Sequence, residues 1–372
     1  MHMVVCHREK VFVIKAQVQK AQTVAERLRL EGRESLGLGI GVLVINYNTA
    51  AQTLRCLESI QQSSTPPDWV FVLDNASASA DYERLVQHAR SPETGTFAIF
   101  RSETNLGFAQ GSNVLIDLLL QNPECHYVML LNNDAVAEPA MLALLKEALE
   151  KAGDDAGIAG GRMHKLSHPE QVDTLGIALY ASLMPADRKT LDDVFLGPTG
   201  GCSMLQRKLI ERLKTTFGYC FDPRYFCYCE DTDLVIRTVL LGYKPIYLDR
   251  LVALHEGQAS SGGTYNSFIA YHGLRNAIWM HAKLIPANIL LRKCLYLLTA
   301  HMFMFARYAV SGNLLLVIKI YRDVLIKMPE FLSERRRLKE YLAEGGPNLG
   351  ESITKRFYRK GYLLSLLRGG KV

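Results

Sequence analysis

The chain has 372 residues, 48% apolar and 22% charged, which is enough for one large hydrophobic core or two modest ones and excludes a disordered protein. The net charge of +6 is uneven: residues 280–372 hold 17 Lys/Arg against 6 Asp/Glu, so residues 1–279 carry a net charge of −5. Eight cysteines without a C-x-x-C pair argue against a disulfide scaffold or a zinc site and favour reduced thiols in a cytosolic compartment. Cys227 and Cys229, which alternate with aromatic residues, are expected in an extended, packed segment.

We expect no secretory signal in the N-terminal segment, residues 1–37, because charged residues interrupt it and no apolar core precedes a small-residue cleavage site. Residues 16–36 have the pattern of an amphipathic helix. We expect residues 1–37 to form a helical extension of the main fold.

Four apolar runs, each followed by polar residues and a helical segment, predict the strand and helix units of a parallel sheet. The runs are residues 40–45, 69–73, 97–100 and 127–131. The residues that follow these runs include Asn46, Tyr47, Asn48, Asp74, Asn75, Asn105, Gly107, Asn113, Asn132, Asn133 and Asp134. Because ligands of open α/β sheets bind at the carboxyl ends of the strands, this arrangement predicts a nucleotide site.

The middle of the chain is less regular. Residues 164–198 have the composition of a loop and predict a mobile or substrate-specific insert. Order is predicted to resume at Gly200 and Gly201, with a short helix over 209–213.

Residues 219–257 contain the most distinctive group of polar side chains. Glu230, Asp231 and Asp233 begin a helix-like run, and His255 follows a strand predicted over 246–254. Three acids and a histidine in this order suit chemistry on a metal-bound phosphate. The helix dipole by itself also favours acids in a first turn, which is the simpler explanation for Asp233.

The C-terminal region is helical in pattern and basic. Residues 285–309 are rich in Leu, Met, Phe and Tyr, but Arg292, Lys293, His301 and Arg307 interrupt them, so no run reaches the roughly 20 apolar residues of a membrane span. Apolar faces interleaved with Lys and Arg predict helices that lie on an anionic bilayer surface. The alternative is an accessory helical domain with a solvated basic face.

Taken in order, these motifs resemble the family 2 inverting glycosyltransferases of GT-A fold, especially the bacterial rhamnosyltransferase-like branch. The resembling segments are residues 42–48, 72–77, 105–113, 130–134, 200–204, 221–233, 242–243, 255 and 275–276. The resemblance implies a GT-A catalytic domain over 38–280, with a mainly parallel α/β sheet flanked by helices. Residues 281–372 then form a basic amphipathic helical region that associates with a membrane surface.

The resemblance also implies which residues bind a nucleotide-diphosphate sugar. They are Asn46, Tyr47, Asn48, Asp74, Asn75, Asn105, Gly107, Asn113, Asn133, Gly200, Gly201 and Arg275. A carboxylate at position 74 can accept hydrogen bonds from a nucleoside, although an Asp that begins a turn after a strand is common. For Arg275, contact with a diphosphate and a salt bridge between domains are equally compatible with the sequence.

A metal site is implied at the fourth strand end, where the family carries an acidic motif and this chain has Asn132, Asn133 and Asp134. Only Asp134 can supply a carboxylate to Mg²⁺ or Mn²⁺, which suffices if the donor's phosphates supply most of the oxygen ligands. His255 resembles the histidine that completes this site in the family.

The acidic cluster is expected to supply the general base. Inverting transfer needs a carboxylate that deprotonates the acceptor hydroxyl, and the second acid of the Glu230–Asp231 pair resembles the family's catalytic position. Glu230 would then act beside it.

These expectations describe a metal-dependent transferase that moves a sugar, with rhamnose as the subgroup's example, to a saccharide or lipid-linked acceptor in cell-surface polysaccharide synthesis. It would be peripheral on the cytoplasmic face of the membrane, with no nucleic-acid partner. Two alternatives stay open. A nucleotidyltransferase would need a glycine-rich basic loop after the first strand, where the chain has Asn46, Tyr47 and Asn48. A catalytically degenerate binding scaffold would explain the reduced acidic motif at 132–134.

Overall fold

A computed structural model describes residues 39–89, 97–257 and 267–360. The predicted N-terminal extension, residues 1–37, lies outside the described residues.

The architecture is α/β, with a nine-stranded central sheet. Its strands are β1 (Ile40–Asn46), β2 (Trp69–Asp74), β3 (Ala98–Arg101), β4 (Tyr127–Leu131), β5 (Ala135–Ala137), β6 (Ala156–Lys165), β7 (His168–Thr174), β10 (Cys202–Gln206) and β11 (Lys244–His255). They lie in the order β3-β2-β1-β4-β10-β6-β11-β5, and β7 pairs with β6. A second, three-stranded sheet contains β8 (Ile177–Tyr180), β9 (Pro185–Asp187) and β12 (Ile353–Thr354).

Helices cover the sheet and make up most of the C-terminal region. They are α1 (Ala50–Gln61), α2 (Ser79–Ala89), α3 (Gly107–Leu119), α4 (Met141–Ala152), α5 (Arg207–Phe217), α6 (Glu230–Leu240), α7 (Ser267–Leu284), α8 (Ala287–Val310), α9 (Leu314–Arg337), α10 (Lys339–Glu344) and α11 (Gly346–Glu351). Short 3-10 helices occupy Gly153–Asp155 and Pro223–Tyr225.

The first half of the sheet confirms the predicted repeating units. Strands β1 to β4 are parallel to one another, and β1 pairs with both β2 and β4. Alternate residues of β1 enter different cores: Ile40, Val42 and Val44 pack on one face of the sheet, and Leu43 packs on the other. Because β1 is in register with β2, Asn46 lies directly opposite Asp74, which brings the two polar strand ends together.

The second half of the sheet is mixed. Strand β10 is antiparallel to β4 and β6, whereas β11 is parallel to β6. The loop prediction for residues 164–198 was wrong over β7, β8 and β9. Strand β8 pairs with β9 nearby and also with β12, far along the chain, and this second partner cannot be recognised from the local pattern.

The C-terminal helices pack on the face of the sheet that α3, α5 and α6 cover, rather than standing apart. Buried residues of α7 and α9, including Trp279, Val324 and Phe331, belong to the same core as α3, α5 and α6. Helix α8 is long and apolar enough to cross a membrane by length and composition, contrary to the prediction that charged residues interrupt every such run.

Candidate active site

The first part of the site is a buried hydrogen-bond network at the ends of β1 and β2. Asn46 Nδ2 lies 3.0 Å from Asp74 Oδ1 and 2.9 Å from Asp81 Oδ2. Thr53 donates to Asn46 Oδ1 at 2.7 Å, and Asn133 Nδ2 donates to Thr53 at 2.9 Å. This network joins three of the strand ends that the sequence predicted to form a nucleotide site.

Burial distinguishes the side chains that hold this network together from those that a ligand could contact. Asn46 and Asp74 have no exposed surface, and Asp74 also lies 3.4 Å from the Arg101 guanidinium. Tyr47 is 37% exposed, and Asn48, also exposed, adopts a left-handed conformation with φ of 55°. Tyr47 and Asn48 are therefore the accessible members of this group.

A second loop follows β3 and is fixed by Asn75. Its side chain accepts a hydrogen bond from Leu106 N at 2.8 Å and donates to Asn105 Oδ1 at 3.0 Å. Gly107 has φ of +70°, and a Cβ there would lie 2.4 Å from the carbonyl oxygen of Phe226, so only glycine fits. The loop after β3 is thus pressed directly against the segment that leads to the acidic cluster.

Asn113 makes a second connection between these regions. Its Nδ2 donates to the carbonyl oxygen of Phe221 at 2.7 Å, and its Oδ1 accepts from Phe221 N at 2.9 Å. Both side-chain groups are used on the backbone, which makes Asn113 a structural clamp in this conformation.

The predicted metal residues lie together. His255 Nε2 is 3.1 Å from Asp134 Oδ1, and His255 Nδ1 is 2.7 Å from Asp173 Oδ2. Burial lowers the pKa of His255, but the carboxylates of Asp134 and Asp173 outweigh it and raise that pKa to about 10. Burial raises the pKa of Asp173, while its hydrogen bond to His255 brings the net shift below the usual range.

The geometry of this pair fits a divalent cation. Although Nε2 of His255 is close to Asp134, it is buried and has no aligned hydrogen-bond partner among the described residues. An imidazole nitrogen and a carboxylate oxygen that converge in this way can share one metal ion, and a carboxylate on the other ring nitrogen is the usual support for such a ligand. Within the described ranges no group of three or more His, Cys, Asp or Glu could hold a metal ion. A cation here would therefore need additional oxygen ligands, such as phosphates.

The acidic pair begins α6. Burial raises the pKa of Asp231 against the lowering effect of the N–H groups of Gly200 and Thr232, which donate to its carboxylate at 3.1 and 2.6 Å. Burial, with the adjacent charge of Asp231, raises the pKa of Glu230 well above its usual range. Glu230 Oε2 is buried without a hydrogen-bond partner in the described structure. Both carboxyls therefore hold protons more strongly than exposed acids do.

The two glycines before β10 connect the turn that holds the predicted metal ligand Asp134 to the acidic pair. Gly200 N donates to Asp231, and Gly201 O accepts from Asn132 N at 2.8 Å. A Cβ on Gly201 would lie 2.9 Å from Asn132 Nδ2. This short segment therefore brings the end of β4 and the start of α6 close together.

The loop before α6 differs from the predicted extended segment. Phe226, Tyr228 and Cys229 have φ values of 63°, 66° and 64°, in the left-handed region that non-glycine residues avoid. Asn276, on α7, is fully buried, and its Nδ2 faces the carbonyl oxygens of Tyr225, Cys227 and Tyr228 at 2.9, 2.8 and 2.7 Å. A C-terminal helix thus holds the strained loop that carries the acidic pair.

Arg275 and Asp233 both contact side chains in the interior of the fold. Arg275 is nearly buried, with its guanidinium 4.5 Å from the Trp279 ring centre and its Nε 3.0 Å from Asn276 Oδ1. Asp233 is fully buried between Arg237, at 2.6 Å, and Lys283, at 2.5 Å. Asp233 therefore belongs to an ion network inside the fold and not to the acidic pair beside it.

Several residues that complete the site were not recognised in the sequence. Asp173 lies in the segment predicted as a loop, and Thr53 and Asp81 lie inside helices. Asn276 was noted only as part of a two-residue motif. Of these, only Asn276 carried a signal that could have been followed further.

The fold and the site together define the class of protein. A parallel β-α half-sheet ends in a polar network, and a carboxylate–histidine pair and a buried acidic pair adjoin it. This is the arrangement of a GT-A α/β fold.

Comparisons with known proteins agree with that class. Residues 41–214 match the family model of Glycosyl transferase family 2. Among curated protein sequences, none matches the chain significantly. The match spans a little less than half of the chain and lies within the GT-A fold described above.

Solved structures share the fold at low sequence identity. TarS 1-349 of S. aureus in complex with UDP-GlcNAc is 17% identical, over 89% of this chain and 92% of that one, with a TM-score of 0.53. GalNAc-T7 with UDP, GalNAc and Mn²⁺ is 12% identical, over 89% of this chain and 58% of that one, with a TM-score of 0.52. The mannosyltransferase PcManGT from Pyrobaculum calidifontis with GDP-Man and Mn²⁺ is 15% identical, over 90% and 98%, with a TM-score of 0.48.

Proposed function

We propose that this protein is an inverting glycosyltransferase that moves a sugar from a nucleotide-diphosphate donor to a saccharide or lipid-linked acceptor in cell-surface polysaccharide synthesis. The observation that carries the proposal is the connection through Gly200 and Gly201. This segment contacts Asp231 on one side and the Asn132–Asp134 turn on the other. A base for the acceptor and a site for the donor's phosphates would then lie in one cleft.

In the proposed reaction Asp231 is the base. The acceptor hydroxyl oxygen bonds to the anomeric carbon, the bond from that carbon to the nucleoside diphosphate breaks, and the hydroxyl proton passes to Asp231. The raised pKa of Asp231, caused by burial, strengthens its affinity for that proton. The N–H groups of Gly200 and Thr232 hold the carboxylate in place while it accepts the proton.

Asp134 and His255 would hold the divalent cation, with Asp173 orienting the imidazole. When bound, such a cation neutralises the charge that develops on a leaving diphosphate. A donor set of one imidazole and one carboxylate favours Mn²⁺ over Mg²⁺, because Mg²⁺ prefers oxygen ligands alone. GalNAc-T7, which has a similar fold, was solved with Mn²⁺.

The donor is tested by thermal shift with dTDP-rhamnose, UDP-GlcNAc and GDP-mannose, each with and without MnCl₂. A ligand that binds only the folded state raises its stability, by about 2.7 kcal/mol at a hundredfold excess over Kd. We expect one of the three to raise the Tm more in the presence of Mn²⁺. The resemblance to the rhamnosyltransferase-like branch makes dTDP-rhamnose the first choice. If no nucleotide sugar shifts the Tm under either condition, the proposal is wrong.

The base is tested by Asp231→Asn, with Asp192→Asn at an exposed position as the matched control. We expect the Asp231 variant to bind the donor normally and to lose about 10²- to 10⁴-fold in transfer rate, the usual contribution of a general base. The control should keep its full rate. Full transfer by Asp231→Asn would move the role of base to Glu230 or to another group.

A further inference from the structure

The largest feature that the proposed function does not use is an apolar surface on the C-terminal helices. Large side chains of α8 and α9 lie in solvent, and we refer to them together as the α8–α9 surface. They are Leu291, Leu295, Tyr296, Leu298, Met302, Phe303, Phe305, Val310, Leu314, Leu315, Ile318, Leu325, Ile326 and Leu332. So many exposed large apolar side chains on two neighbouring helices are typical of a docking site.

Helix α8 has two distinct faces. Residues Leu291, Leu295, Leu298, Met302 and Phe305 recur every three or four positions, so they share an arc of about 80° on the helix. On the opposite side Ile289 and Ala300 are buried, and on one flank His301 Nδ1 lies 2.8 Å from the Tyr321 hydroxyl of α9. Only 11% of the most apolar 18-residue stretch of α8 is buried.

The charge of this region indicates which partner binds to the α8–α9 surface. Residues 287–322 contain five basic residues, Arg292, Lys293, Arg307, Lys319 and Arg322, and no Asp or Glu. A second copy of the chain would bring the same positive charges against one another. An anionic lipid surface would instead attract the basic side chains of this region, by about fivefold in binding for each one that lies near the lipid.

We propose that the α8–α9 surface docks on an anionic phospholipid bilayer, with the outward face of α8 in the boundary between headgroups and acyl chains. Because α8 stays attached to α9 along its inner face, the protein lies on the membrane and does not need to cross it. The proposal rests on the exposed side chains and their charge, and it holds whether or not the donor and base assignments are correct.

The test is flotation of the full chain with two kinds of vesicles. One kind contains phosphatidylcholine only, and the other contains phosphatidylcholine and phosphatidylglycerol at about two to one. We expect binding to the anionic vesicles, weakened when NaCl is raised from about 0.1 M to about 0.5 M. The absence of binding to both kinds of vesicle would overturn the proposal.

The variant for this test is Leu298→Glu with Met302→Glu, and Leu191→Glu is the matched control. Leu298 and Leu191 are 58% and 55% exposed, so each substitution adds a charge at a similarly accessible position and leaves the core intact. We expect the double variant to bind anionic vesicles at least about tenfold more weakly. Burial of a single Leu or Met side chain in the lipid already contributes about tenfold in affinity. The control should bind within about twofold of the native chain.

Two results would contradict the proposal that a lipid bilayer binds to the α8–α9 surface. Equal vesicle binding by the double variant and the control would mean that α8 is not the docking face. A concentration-dependent dimer without lipid, abolished by the double variant and kept by Leu191→Glu, would assign the surface to a second copy. Sedimentation velocity of the same samples distinguishes this outcome.

Discussion

Asn276 Nδ2 on α7 lies 2.7 Å from the carbonyl oxygen of Tyr228, two residues before Glu230. The same amide group faces two further carbonyls of a loop in which three non-glycine residues are left-handed. Such a conformation persists only where surrounding contacts impose it. The contact therefore makes a C-terminal helix responsible for the position of the acidic pair.

We expect Asn276→Asp to slow transfer by about tenfold to a hundredfold, because displacement of a catalytic group by about an ångström has effects of that size. The substitution keeps the shape but turns an N–H donor group into an acceptor that repels the three carbonyls. Donor binding, measured by thermal shift, should change less than the rate of nucleoside diphosphate release. Asn288→Asp, at an exposed position of α8, is the matched control. An equal loss of donor binding and rate would point to general unfolding and not to a positioning role.

The carboxylate–histidine pair predicts that metal binding competes with a proton. The carboxylates of Asp134 and Asp173 raise the pKa of His255 to about 10, so its Nε2 is protonated at neutral pH when no cation is bound. Below that pKa a cation must displace one proton, so the apparent affinity for Mn²⁺ should rise about tenfold from pH 7 to pH 8. Electron paramagnetic resonance of free Mn²⁺ measures this directly.

Two variants test whether Asp173 supports metal binding by His255. Asp173→Asn should weaken Mn²⁺ binding by about tenfold to a hundredfold, the usual effect of losing the carboxylate that orients a ligand histidine. His168→Gln, on the exposed part of the same strand, should leave binding unchanged. An Mn²⁺ affinity that does not vary between pH 7 and pH 8 would show that His255 is not a ligand.

The first four strands and the polar residues at their ends could be predicted from the sequence, because both depend on local patterns. Apolar runs mark β1, β2 and β4 closely, and polar residues follow each of them. Asp173 could not be predicted, since it meets His255 only through the pairing of β7 with β6 and of β6 with β11. The left-handed loop before α6 had no glycine to mark it, and its conformation depends on a side chain about 50 residues further along.

The buried position of Glu230 predicts that the stability of the fold depends on pH. Burial, with the charge of Asp231, raises the pKa of Glu230, so the folded state binds a proton that the unfolded state releases above about pH 4.5. The free energy of unfolding should therefore fall as pH rises from that value towards the raised pKa. Glu230→Gln removes this dependence, so its Tm relative to the native chain should increase between pH 5 and pH 8.

The control for this measurement is Glu340→Gln, at an exposed position of α10. Its Tm difference from the native chain should stay constant over the same pH range. Melting curves followed by circular dichroism at several pH values suffice. A Glu230→Gln variant that is destabilised at every pH would mean that the carboxyl makes a favourable contact in the folded state.

The most demanding stability prediction concerns Lys283, a residue of the basic C-terminal region that the fold buries completely. Its Nζ lies 2.6 Å from Asp222 and 2.5 Å from Asp233, both of which are also without exposed surface. Removing one partner of a buried ion network leaves a charge without compensation, at a cost of about 3–5 kcal/mol. Lys283→Met, which roughly keeps the volume, should therefore lower the free energy of unfolding by that amount, measured in urea.

Lys327→Met supplies the comparison, because Lys327 forms a surface ion pair with Glu330 at 2.8 Å in the neighbouring helix α9. Exposed pairs of this kind contribute about 0.2–1 kcal/mol, so this variant should remain close to the native chain. A large loss confined to Lys283→Met would show that α7 and the segment before α6 are stabilised as one unit. If the two variants lost similar amounts, the buried network would contribute little, and the attachment of the C-terminal helices would depend on their apolar contacts alone.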